Sequence, residues 1–75
     1  MECPICGATA RIIRVPAFDG RQINCQSCGN YDVSGTVLER KLLERLNKVQ
    51  RCDVLERARM NTPRSVRPII TTYLI

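Results

Sequence analysis

The chain has 75 residues, with twelve basic and seven acidic side chains, no His, no Trp, one Phe and two Tyr. That length allows one domain at most. Cores of this size rarely supply more than about 3–5 kcal/mol, so a disulfide, a metal or a partner is expected to complete the fold. With no histidine, nucleophile elbow or phosphate loop, and no identifiable base for Ser34 or Ser65, no catalytic set is visible and a non-enzyme is expected.

The opening residues Met1-Glu2-Cys3-Pro4 are neither basic nor a long apolar run. No stretch approaches the ~18 consecutive apolar residues of a membrane span. The expectation is a cytoplasmic protein with no membrane partner and no small-molecule substrate. Thiols stay reduced in that compartment, and five cysteines is an odd number. Metal ligation is the better reading of four of them.

Cys3, Cys6, Cys25 and Cys28 follow the spacing C-x2-C-x18-C-x2-C, within the range of a four-thiolate zinc site. Two residues between cysteines let one tight turn aim both sulfurs at one ion, and two such turns close a tetrahedron. Pro4 fixes φ early in the first turn. Gly7 and Gly29, each following a second cysteine, suit a positive φ that brings amide N–H groups toward the sulfurs. Four thiolates leave no open position for water, so a closed, structural Zn²⁺ is expected.

Between the pairs, "RIIRV" (11–15) is β-rich, Asp19-Gly20 is a turn signal and "RQIN" (21–24) returns to the second pair. "YDV" (31–33) can add a third strand. Residues 1–33 resemble the zinc-ribbon superfamily, whose members carry CPxCG-type knuckles on a β-hairpin. More narrowly, "FDGRQINCQSCGNYDVSG" (18–35) looks like the N-terminal ribbons of bacterial prophage, mobile-element and defence-associated proteins. The resemblance implies structural zinc and no particular activity. Rubredoxin, with iron on two such knuckles, resembles a more acidic and aromatic chain. A thioredoxin-like redox pair would need a preceding strand and a βαβ context, which Cys3 lacks.

Residues 34–60 are helical in period and propensity. Ser34 or Thr36 can cap the start, Thr36 forming a capping box with Glu39. Leu38, Leu42, Leu46 and Val49 share one face, expected to pack on Ile12, Val15 or Ile23. Arg40, Lys41, Glu44, Lys48 and Arg51 share the opposite face. Near Cys52 the pattern shifts, and Asp53 with Glu56 looks like a second cap, so either the helix breaks there or one long helix is apolar on two sides, with a face that needs a partner. Cys52 itself reads as a small buried apolar residue. Tyr31 reads as core or hairpin packing, a base-stacking role requiring exposure.

"NTPRSVRP" (61–68) is a breaker-rich connection, and "IITTYLI" (69–75) is β-prone. Such a strand pairs with a ribbon edge, joins a second subunit, or begins a further domain. The whole reads as a small α+β, metal-stabilised fold in one unit: ribbon 1–33, helical segment 34–60, extended tail 61–75.

Residues 1–33 are charge-balanced, while 34–75 carry nine basic and four acidic residues, the whole of the +5. A four-thiolate zinc site contributes −2 and lowers the total to about +3. Nucleic-acid binding through Arg40, Lys41, Arg45, Lys48, Arg51, Arg64 and Arg67 is the expected function. The alternative is a protein-interaction or assembly module, with a homodimer as one form.

Overall fold

The computed structural model describes residues 2–75. β1 (Ala10–Ile13) and β2 (Arg21–Cys25) form an antiparallel hairpin in which Ala10 faces Cys25 and Ile13 faces Gln22. The chain turns through residues 26–28 into β3 (Gly29–Val33), with Cys25 opposite Gly29 and Arg21 opposite Val33. Side chains alternate along a strand, so this register puts Ile23, Cys25, Tyr31 and Val33 on one face. All four are buried there. The hairpin loop needs Gly20, because a Cβ at that position would collide with the Val33 carbonyl and the Phe18 ring.

The helical segment is divided, and the division is not at Cys52. α1 (Gly35–Glu39) is short, residues 43–45 make one 3-10 turn, and α2 (Lys48–Met60) runs unbroken through Cys52. Local chemistry explains both boundaries. Ser34, rather than Thr36, accepts from the Val37 N–H and starts α1. At its end Lys41 adopts φ 54°, while its N–H bonds Leu38 O and the Leu42 N–H bonds Val37 O. This is the double hydrogen bond that terminates helices, here without the usual glycine, at a cost of about 1–2 kcal/mol for the left-handed backbone. Asn47 then caps α2 in a reciprocal box with Gln50. A good cap at 47 makes Asp53 an interior residue instead of a start.

That break changes which side chains are covered. Leu43, placed off the expected stripe, is buried, whereas Val49 is 78% exposed. Leu38, Leu42 and Leu46 are half-buried against the core, and α2 contributes Val54, Leu55 and Ala58 to it. These join Ile5, Ile23, Tyr31, Val33, Val37 and Ile70 in one cluster. Ile12 packs at its margin, while Val15 and the single Phe, Phe18, are not part of it.

The tail is a strand for two residues only. β4 (Ile69–Ile70) adds to the sheet parallel to β3, pairing Asp32 with Ile69 and Val33 with Ile70. The Asp32 N–H donates to Pro68 O and the Ser34 N–H to Ile70 O. Beyond Ser34 the chain enters α1, so β3 offers no further ladder. Residues 72–74 accordingly curl into a 3-10 turn instead of continuing the strand expected over 69–75. Ile70 is fully buried and Tyr73 is 96% exposed.

Arg67 secures this tail. Its Nε donates to Asp32 Oδ1 at 2.7 Å and one terminal nitrogen to Asn24 Oδ1 at 3.1 Å. The other terminal nitrogen serves the carbonyls of Ile23 and Tyr31 at 3.3 and 3.0 Å. Thus a residue expected on a nucleic-acid surface spends its planar fork inside the fold, which a lysine could not imitate. Replacing Arg67 by Lys should lower stability by about 2 kcal/mol, since Asp32 and two carbonyls lose charge-assisted donors. Urea unfolding of the metal-loaded protein checks this, with metal content unaltered.

Candidate metal centre

Two turns at one end of the sheet build the site. In the first, Cys3 N–H bonds Ala8 O at 2.7 Å and Gly7 N–H bonds Cys3 O at 2.9 Å, folding residues 2–9 back on themselves. In the second, the N–H groups of Ser27 and Cys28 donate to Cys25 Sγ at 3.4 and 3.3 Å. Gly7 and Gly29 have φ of 78° and 83°, as their places after Cys6 and Cys28 imply.

The four expected ligands, Cys3, Cys6, Cys25 and Cys28, come together. Their sulfurs all lie within 4.8 Å of one another. Cys3 and Cys28 sulfurs are 4.0 Å apart, those of Cys6 and Cys25 3.5 Å. A disulfide would need about 2.05 Å. The spacing instead fits the edges of a tetrahedron around one metal ion. Cys3 and Cys25 are buried, and Cys6 and Cys28 half-buried. Cys52 is half-buried on α2 against the core and takes no part.

The surroundings suit an anionic cluster. Tyr31, at 0% exposure, places its hydroxyl 3.0 Å from Cys3 Sγ. Burial, and then the bond to Cys3, pushes its phenol well above the ordinary tyrosine range, so it stays protonated. Arg51 lines a groove with Cys3, Cys6 and Leu43, and its buried Nε has no hydrogen-bond partner. A guanidinium nitrogen left unpartnered in the groove beside Cys3 and Cys6 fits a site that becomes negative when the sulfurs ionise around a divalent ion. At the second turn the Arg59 guanidinium donates to the Cys28 carbonyl and pairs with Glu56 at 2.7 Å. α2 thereby touches both knuckles.

Sequence reasoning read Tyr31 correctly as core packing but without its contact to Cys3, and it missed Arg59. Tyr31 had a usable signal, because it shares strand parity with Cys25 across the turn. Arg59 had none, since its position depends on how α2 lies. The remaining cations divide. Arg40, Lys41, Arg45, Lys48 and Arg64 are exposed and form no salt bridge among the described residues. Arg51 and Arg67 face inward as described. No helix among the described residues is long and apolar enough to cross a membrane.

No family model matches the chain, and no curated protein or solved structure matches it either. The assignment of the site rests on its own geometry.

Without an ion, burial and then the neighbouring sulfurs of Cys6 and Cys3 push the Cys28 thiol upward. At neutral pH that group carries a proton in the metal-free fold, and the ion must displace it. Raising the pH makes displacement easier, so apparent metal affinity should rise with pH by about tenfold per unit for each proton released. Competition titrations between pH 6 and 8, a range of about two units, check the slope, and a pH-independent affinity would contradict thiolate ligation.

Proposed function

We propose that the protein is a zinc-stabilised binding module of zinc-ribbon type, without catalytic activity, that engages nucleic acid through its basic central segment. The observation that carries the zinc reading is the sulfur geometry. Zn–S bonds of about 2.3 Å imply tetrahedral edges of about 3.8 Å. The Cys3–Cys28 and Cys6–Cys25 separations of 4.0 and 3.5 Å bracket that value. Four thiolates are a soft, closed ligand set that favours zinc over hard cations and leaves no site for a metal-bound water. In this role the ion holds two turns together, and the chain's own groups orient the sulfurs.

Support for nucleic acid comes from charge placement. Arg40, Lys41, Arg45 and Lys48 lie within nine consecutive residues, all exposed, with Glu44 the one acidic side chain among them. α2 neutralises much of its own charge, through Arg57–Asp53 at 3.2 Å and Arg59–Glu56. Among the described residues, four of the seven exposed cations outside salt bridges therefore lie where the chain passes from α1 to α2, Arg11 and Arg14 lying in and after β1. Arg64, in the connection after α2, adds a further exposed cation. Phosphates are the partners such a segment suits.

A second reading, docking of a protein partner, draws on Val49, Met60 and Tyr73, which are exposed at 78%, 83% and 96%. Salt separates the two. Phosphate binding weakens steeply with salt, whereas apolar docking does not. Mobility-shift titrations of the zinc-loaded protein should show salt-dependent binding. The Arg40→Glu, Arg45→Glu double variant should flatten the slope by about two phosphate contacts. Binding that ignored both salt and the double variant would favour a protein partner.

A further inference from the structure

Burial and hydrogen bonding are distributed unequally over the four sulfurs. Cys25 Sγ accepts two amide N–H bonds, from Ser27 and Cys28. Cys3 Sγ has the Tyr31 hydroxyl at 3.0 Å. Among the described residues, the sulfurs of Cys6 and Cys28 meet only other sulfurs, and both residues are partly open to solvent. A metal-bound thiolate has no proton, so the Tyr31 hydroxyl must be the donor to Cys3. A buried phenol oxygen needs a partner, and Cys3 is the one this fold gives it.

We propose that Tyr31 is a positioning residue of the metal centre, holding Cys3 through its hydroxyl, and that the centre consequently opens at Cys6 and Cys28. This rests on the four-thiolate reading above. The donated hydrogen bonds withdraw charge from Cys3 and Cys25 and make them poorer nucleophiles. Cys6 and Cys28 accept no such bond among the described residues and are half-exposed. An electrophile therefore meets them first, and a competing chelator enters from the same edge. Tyr31 is also the only aromatic side chain in the buried cluster, so the core fixes the ring and the ring fixes the ligand.

The test uses the full zinc-loaded chain. Iodoacetamide is added in the presence of a chelator, and each cysteine is followed by peptide mapping. A thiolate sulfur displaces iodide, forming an S–C bond as its S–Zn bond breaks. Cys6 and Cys28 should react first, and Cys3 and Cys25 later. In Tyr31→Phe, which keeps the ring, zinc should still bind at one ion per chain but with about tenfold weaker affinity. Cys3 should join the fast group while Cys25 stays slow. A zinc-loaded Tyr31→Phe with unaltered affinity and unaltered Cys3 rate would overturn the proposal.

Loss of folding in the variant does not end the test, because the unmodified chain can be loaded with NMR-active cadmium. Scalar coupling should pass from the metal through Cys3 Sγ to the Tyr31 hydroxyl proton, as well as to the Ser27 and Cys28 amides. Amide couplings without the hydroxyl coupling would overturn the role of Tyr31. A chain that bound neither metal would instead overturn the four-thiolate reading, a distinguishable result.

Discussion

Four sulfurs from two distant turns are crowded within 4.8 Å of one another, and that crowding is the constraint the rest of the chain surrounds. Without an ion to share them, ionised thiols repel one another at these distances, and protonated ones contribute little more than small apolar groups. An ion held by all four would turn the same crowding into a cross-link between the two turns. The core alone is modest. Its largest fully buried side chains are one tyrosine, three isoleucines and two valines. In a domain this small, metal affinity is largely folding free energy.

The rest of the chain is arranged around that junction. β2 and β3 emerge from the second turn and carry Ile23, Tyr31 and Val33 inward, so the sheet runs directly into the cysteine cluster at Cys25. α2 crosses from Arg51 beside the first turn to Arg59 on the carbonyl of Cys28. Between these two ends, Val54, Leu55 and Ala58 seat the helix in the apolar core. The tail closes the far edge of the sheet through Ile70 and the Arg67 fork. Cationic side chains that looked interchangeable in the sequence thus serve different ends: Arg59 and Arg67 brace the fold, Arg51 lines the groove beside Cys3 and Cys6, and Arg40, Lys41, Arg45, Lys48 and Arg64 are exposed outside any salt bridge among the described residues.

The cysteine cluster was legible because its chemistry is local. Two-residue spacing and a following glycine specify a turn whatever surrounds it, and both turns have the expected positive φ. The β-hairpin was legible for a similar reason, its two strands being neighbours in sequence. The helical segment was not. Its apolar period continues across residues 40–47, but Lys41 in a left-handed conformation and the Asn47–Gln50 box interrupt it. Neither signal is strong in isolation, and helix periodicity cannot register that burying Leu43 requires a turn. The tail's β propensity was read correctly over Ile69–Ile70 and wrongly thereafter, because strand length is set by the partner. β3 ends at Val33, a limit invisible from residues 69–75 themselves. Arg67 illustrates the general difficulty, since its four acceptors come from β2 and β3, some 35–44 positions away in the chain.

The central claim is that metal and fold are one equilibrium. The direct measurement is a paired readout of metal content and amide NMR dispersion as zinc is withdrawn by a chelator and then returned. The account predicts that one ion per chain is lost together with the dispersed signals of residues 2–33 and of α2, and that both return on adding zinc. A chain that kept its dispersed spectrum after complete removal of the metal would contradict it, and would place the stability of this fold in its apolar core alone.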